Sequence, residues 1–159
     1  MAQSIGPFLR ENWKRFSSKP GGKWIFSRIV GIAVPYTGSI AANVVLLEPG
    51  RGIITLKERR KVSNHLRSVH AMALASLAEM VTGLTLLNSL PDGTRGILTS
   101  MQIKYHKKAR GLLTAECVCE IPENNEEREL QLLGEIKNES GEVVASATAT
   151  WRIGPEKKA

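Results

Sequence analysis

From Ala71 to Asn88 the chain reads AMALASLAEMVTGLTLLN, apolar on nearly every face, with Glu79 its only ionisable side chain. A helix that is hydrophobic all round is a buried helix, so this segment predicts the central element of the core. The flanking pattern has a different period. Ser39 to Leu47 and Arg51 to Glu58 read as two strands joined at Pro49-Gly50, followed by a loop from Arg59 to Val69. Beyond Pro91-Asp92-Gly93 the alternation returns, with Ile97, Thr99, Met101, Ile103 and Tyr105 on one face and Ser100, Gln102, Lys104 and His106 on the other. Gly111, Asn124-Asn125 and Ser140-Gly141 mark later turns. Two strands, a long buried helix and four long strands specify an α+β chain in which an antiparallel sheet wraps around one central helix.

Ahead of the first strand, Ile5, Phe8, Leu9, Trp13 and Phe16 follow helical spacing; Pro20-Gly21-Gly22 interrupts it, and Trp24 to Ala33 resumes it up to Pro35. Residues 1–35 therefore read as an N-terminal helical extension and residues 36–159 as the sheet domain, a size suited to a single core. Of the net charge of +7, the extension supplies most: six Lys/Arg stand there against Glu11 alone, leaving +2 for the rest. Helices docked by their apolar faces, with a solvated basic face, are the simplest reading; a membrane-surface helix or a lid are the competing ones. The charges at Arg10, Glu11, Lys14 and Arg15 are unlike a secretory signal, and no apolar run reads as long enough to span a bilayer, so a cytoplasmic location is expected. Cys117 and Cys119, two apart on a strand, predict packed thiols rather than a disulfide or a zinc site.

Glu79 requires its own explanation. Burying a carboxylate without a partner is costly, and desolvation raises its pKa toward the range useful for base chemistry. Nine residues earlier stands His70, and six before that Asn64. At roughly 100° and 1.5 Å per residue, His70 and Glu79 fall on opposite faces of the helix, about 13 Å apart along its axis. If they serve one site, two copies of the helix must build it, with Asn64, His70 and the helix N-terminus of one chain facing Glu79 of another. The first-turn N–H groups, at Ala71 and Met72, would then be oxyanion donors.

The run NHLRSVHAMALASLAEMVTG resembles the signature of hotdog-fold acyl-CoA thioesterases of the hydroxybenzoyl-CoA and phenylacetyl-CoA type. In that signature an Asn, a His-Gly-Gly opening a long helix, and an Asp or Glu nine residues past the His form a site across a dimer. Asn64, His70 and Glu79 match it, whereas His70-Ala71-Met72 replaces His-Gly-Gly. The resemblance covers roughly Ser39 to Ile153 and implies a hotdog fold, a homodimer or homotetramer, and hydrolysis of acyl-CoA or acyl-carrier thioesters without a cofactor or metal. It implies Glu79 as general base or nucleophile, the Ala71 N–H as oxyanion donor, Asn64 positioning water or carbonyl, and His70 orienting or polarising the thioester. Met72, Thr82 and Gly83 then become substrate-contact candidates. Where related enzymes use a Ser or Thr on the strand after the helix this chain aligns Leu98, so neighbouring Thr99 would substitute.

Two basic clusters complete the picture. Lys57, Arg59, Arg60, Lys61 and Arg67 run into the motif loop; Lys104, His106, Lys107, Lys108 and Arg110 gather at the turn after the first post-helix strand. Arg and Lys bind phosphate oxygens by charge-assisted hydrogen bonds, so Lys104, Lys107, Lys108 and Arg110 are candidates for the phosphates of coenzyme A. Nucleic acid is not an expected partner, because aromatics do not interleave with these charges beyond Tyr105 and no nucleic-acid motif is present. A Gly-rich phosphate loop, metal-type His/Cys/Asp spacing and a Ser nucleophile elbow are also missing from the sequence. Two further functions stay open: acyl-CoA or acyl-chain binding without turnover, favoured by Ala71-Met72, and a membrane-peripheral structural role, favoured by the basic N-terminal helices.

Overall fold

The computed structural model describes residues 4–156. Three helices come first: α1 (Gly6–Phe16), α2 (Gly22–Ala33) and α3 (Pro35–Ser39). Strands β1 (Asn43–Glu48) and β2 (Arg51–Lys57) precede the long helix α4 (Ala71–Ser89), and β3 (Thr94–Tyr105), β4 (Leu112–Val118), β5 (Arg128–Lys137) and β6 (Val143–Pro155) follow it. The six strands form one antiparallel sheet in the order β1-β2-β4-β5-β6-β3. Wrapped around α4, that sheet makes the hotdog fold.

By length and composition α4 would pass for a membrane span, which corrects the expectation that no run is long enough. Fourteen of its nineteen residues are buried, so it is the core helix of the sheet. The sheet presents Ile54 and Leu56 of β2, Leu113 and Ala115 of β4, Leu132 and Ile136 of β5, and Ala147, Ala149 and Trp151 of β6 to the core. Cys117 is buried beside Thr85 of α4, and burial pushes its thiol up to about 12; Cys119 lies beside Ser89. Both are free thiols packed against the last turns of the helix.

Two segments depart from the sequence pattern. The first strand was expected from Ser39, but Pro35 to Ser39 form α3 and the strand begins at Asn43. Proline suits the first turn of a helix, where its missing N–H costs nothing. In β3 the even alternation fails at a bulge between Leu98 and Ser100, which leaves Thr99 without a register partner on β6. A bulge inserts one residue and reverses which face the following side chains occupy. Leu98 before it and Met101 and Ile103 after it pack on the core, while Ile97 is 45% exposed. The predicted shared face of Ile97, Thr99 and Met101 is therefore split.

The N-terminal helices pack onto α4 and β1. Leu9 and Phe26 are fully buried, each contributing about 1.5–3 kcal/mol of apolar burial, and Trp13 meets Phe26 edge to face with centroids 5.1 Å apart. Arg10 donates to the carbonyls of Asn88 and Leu90, both at 3.1 Å, and pairs with Asp92. Its cation thereby satisfies acceptors at the C-terminal end of α4. Ser27 on α2 accepts from the Val44 N–H at 2.8 Å, and Arg28 donates to Ala42 O at 2.8 Å, which fixes α2 beside β1.

Candidate active site

Glu79 lies midway along α4, at the wall of a cavity of about 80 Å³ roofed by Ile5 at the N-cap of α1, by Phe8 and Leu9 of α1 and by Val30 of α2. Met80, Leu84 and Trp151 also line it, and among the described residues Glu79 is its only ionisable lining group. Among the described residues its carboxylate takes part in neither an ion pair nor a side-chain hydrogen bond. Burial alone pushes its pKa above the ordinary 4.5. A half-buried, unpartnered carboxylate binds a proton more tightly than a solvated one, which is the direction a general base requires.

One turn further on, Gly83 makes room for the indole of Trp151: a Cβ there would lie 2.9 Å from Cη2 of that ring. Thr82, expected to contact substrate, is fully buried. Its hydroxyl donates to Ala78 O at 3.0 Å and accepts from Trp151 Nε1 at 3.4 Å. With both its donor and an acceptor position used inside the core, Thr82 serves packing.

At the start of α4, His70 is the N-cap residue and its Nδ1 accepts the Met72 N–H at 3.0 Å. The neutral ring therefore carries its proton on Nε2. This capping bond corrects the expectation that the Met72 N–H is a free oxyanion donor. The Ala71 N–H has no protein acceptor among the described residues, and the carbonyl of Ala71 accepts from the Tyr105 hydroxyl at 3.1 Å. Asn64 is similarly committed. Its Oδ1 accepts from Leu66 N at 2.9 Å, Ser68 N at 3.3 Å and Ser68 Oγ at 3.2 Å. Three donors on one oxygen fix the amide orientation, so only Nδ2 can serve a ligand, and it can only donate.

The remaining candidates divide around the two sides of this helix end. Asn64, Ala71, Lys107 and Lys108 line one hollow of about 310 Å³ together with Tyr105 and Ser68. His70 and Met72 open on another of about 450 Å³, with Tyr36, Ser39, Lys61 and Ser76. Lys107 pairs with Glu142, Arg110 donates to Arg67 O at 2.9 Å, and Lys104 is exposed on β3. Thr99 is exposed at the bulge, its hydroxyl donating to Thr150 O at 3.1 Å. Within one chain, then, Asn64, Ala71, Lys107 and Lys108 come together, whereas Glu79 and Gly83 line a separate cavity with the N-terminal helices.

Tyr36 and Trp151 did not stand out in the sequence, and Tyr105 did so only as the aromatic beside the second basic cluster. Gly83 within a helical run signals a close neighbour, yet nothing local says that the neighbour is Trp151. The roof over Glu79 likewise depends on residues more than forty positions away.

Solved structures of similar shape are known. One described as genomics APC5556 superposes with a TM-score of 0.80 at 29% identity, over 93% of this chain and 99% of its own. A Pseudomonas aeruginosa protein of unknown function, described as a probable thioesterase, gives 0.75 at 22% identity, over 82% of this chain and 93% of its own. A hypothetical thioesterase from Streptococcus pneumoniae, solved with coenzyme A, gives 0.61 at 20% identity, over 74% and 91% respectively. No curated protein matches this chain by sequence. A family model aligns with residues 22–153, most of the chain, and the protein belongs to that family, described as Domain of unknown function (DUF4442).

Proposed function

We propose that this protein hydrolyses acyl-CoA or related thioesters, with Glu79 as the general base. The observation that carries the reading is Glu79 itself: an unpartnered carboxylate whose burial raises its pKa, set in the wall of an otherwise apolar cavity. A structural charge would be expected to have found a cation or donors. In this scheme Glu79 takes a proton from water as the water oxygen attacks the thioester carbonyl; the C–S bond then breaks and the proton passes back from Glu79 to the leaving thiolate, which releases thiol and carboxylic acid and restores the carboxylate. The Ala71 N–H, at the positive end of α4, receives the oxyanion. Asn64 donates from Nδ2 toward the thioester, and His70, opening on the neighbouring hollow, orients the site by capping the helix start that presents the Ala71 N–H. Lys108, with Lys107, Lys104 and Arg110, supplies the charge for the phosphates of coenzyme A. The thioesterase descriptions of the Pseudomonas aeruginosa and Streptococcus pneumoniae structures, the latter with coenzyme A, support the substrate class.

The site is shared between two copies in this reading. About 12 Å of helix axis separates Ala71 from Glu79, and the two line different hollows of one chain. The twelve-residue strand β3 ends the sheet with a free edge, and a long unpaired edge invites pairing with another chain. The cavity around Glu79 must open toward the partner as the dimer binds substrate.

Thiol release from acyl-CoAs tests the chemistry, and subunit mixing tests the sharing. Glu79→Gln is expected to keep coenzyme A binding and lose at least about a hundredfold in turnover. Mixing it with the His70→Ala, Asn64→Ala double variant should restore activity toward a quarter of wild type, because about half the dimers are hybrids with one intact site of two. A soluble Glu79→Gln protein with normal turnover removes Glu79 from the mechanism. Confirmed hybrids without recovered activity refute the shared site. The occupied Met72 N–H favours the second reading, a binding protein; it would show as a rise in melting temperature with CoA thioesters and no thiol released from wild type.

A further inference from the structure

The Glu79 cavity abuts a second, larger hollow, with which it shares two lining residues. This groove, about 600 Å³, runs between α2, α3 and the Ala41-Ala42 segment. Thr37 and Met80 line both spaces, so only these two side chains need move for one to open into the other. The groove is walled by small or apolar groups, among them Gly31, Ile32, Pro35, Gly38 and Ala42. Its one charged lining residue, Arg28, turns its guanidinium to β1, where it donates to Ala42 O at 2.8 Å and Asn43 Oδ1 at 3.3 Å.

Backbone forms part of the groove wall. Gly31 and Gly38 touch across the bend between α2 and α3, and a Cβ on Gly38 would lie 2.3 Å from the Gly31 carbonyl oxygen. Two glycines thus let the helices fold back closely, so that part of the groove wall is backbone without a side chain. At the junction the lining changes to a methionine, whose unbranched side chain adapts its shape to what passes. The space beside Glu79 is too small for most of an acyl group, so a substrate with its carbonyl there must continue elsewhere. Among the described residues the only charged groups lining the two spaces are Glu79 in one and Arg28, already bonded to Ala42 O and Asn43 Oδ1, in the other.

We propose that the N-terminal helices build an acyl-chain site: a flexible aliphatic chain whose carbonyl lies at Glu79 passes Thr37 and Met80 into the groove beneath α2 and α3. Resting on the hydrolysis reading, this assigns the substrates as thioesters of medium to long straight-chain acids. It also gives the N-terminal extension a function, that of measuring chain length. Each methylene taken from water into such a site tightens binding about fourfold, so selectivity among chain lengths follows from the depth of the channel.

Free fatty acids of four, twelve and sixteen carbons probe the site without requiring turnover, and their CoA thioesters probe it with turnover. Titration calorimetry on the full-length protein should show affinity rising steeply from butanoate to dodecanoate, and kcat/KM should rise in parallel. Thr37→Phe narrows the junction; it should lose at least tenfold more on the sixteen-carbon ligand than on the four-carbon one. Ile32→Glu, at a rim position 78% exposed and so tolerant of charge, should show the same selective loss. Retention of the wild-type chain-length dependence by both folded variants overturns the proposal, as does a wild-type protein indifferent to chain length. Fatty acids that bind with the expected dependence while no thioester releases thiol uphold the channel and refute hydrolysis. Thiol release that is independent of chain length does the reverse.

Discussion

Replacing Gly83 by alanine sets two effects of known size against each other. In a helix interior, alanine is favoured over glycine by about 1 kcal/mol. Against this, the new Cβ would stand 2.9 Å from Cη2 and 3.0 Å from Cζ2 of Trp151, well inside the ordinary carbon–carbon contact of about 3.5–4.0 Å. The ring has little room to retreat. Trp151 is 4% exposed, its Nε1 is aimed at Thr82, and its strand is paired on both sides by β5 and β3. Overpacking of this kind costs about 1–3 kcal/mol, so the steric term wins and Gly83→Ala is expected to be destabilised by about 1 kcal/mol net. Urea unfolding at fixed protein concentration should show a lower midpoint with an unchanged m-value, and the melting temperature should fall by about 2–4 °C. The cause is isolated in a double-mutant cycle with Trp151→Phe, whose smaller ring lacks the outer indole atoms. In that background Gly83→Ala should become neutral or stabilising, with a coupling of about 1–2 kcal/mol. A Gly83→Ala protein more stable than wild type, or an equal effect in both backgrounds, would show that the indole is not what demands glycine.

Two further outcomes follow from the site. Because burial raises the Glu79 pKa in the folded chain, the native state holds that proton more tightly than the unfolded chain; the stability this lends is complete below the ordinary carboxylate range near 4.5 and is lost as pH rises through the folded value. Glu79→Gln should therefore gain stability relative to wild type on going from pH 4 to pH 8 in parallel thermal melts, and parallel curves would contradict the desolvation. Lys108→Glu should raise KM for CoA thioesters while leaving kcat nearly constant, and should not affect thioesters truncated to pantetheine. Lys107 is less suitable for this test because its pairing with Glu142 would be broken as well; equal losses on both substrate sets would place the phosphates elsewhere.

Much of the fold was legible because the signals behind it are local. An uninterrupted apolar helix has only one environment open to it in a folded domain, and the period-two segments around it define the sheet that encloses it. Glu79 stood out for the same reason: one charge in a run without others is visible without knowing what surrounds it. The spacing of Asn64, His70 and Glu79 carried the resemblance to hotdog thioesterases, since residue separation along a helix translates directly into angle and distance.

What only the tertiary structure decided depends on partners distant in the chain or on choices of a few tenths of an ångström. Whether the His70 ring caps α4 through Nδ1 and takes up the Met72 N–H is settled by the loop geometry at the helix start, which residue identities leave open. The bulge at Thr99 adjusts β3 to its pairing with β6, some fifty residues later, and so reverses a face that alternation alone assigns otherwise. Above all, the placement of α1 and α2 over Glu79 rests on Arg10 reaching the end of α4 and on Leu9 and Phe26 finding cover. Apolar spacing shows that these helices must bury one face. The surface that receives it, and hence the cavity, exists only once the whole chain has packed, because burial free energy is non-directional and shape complementarity alone selects among apolar surfaces.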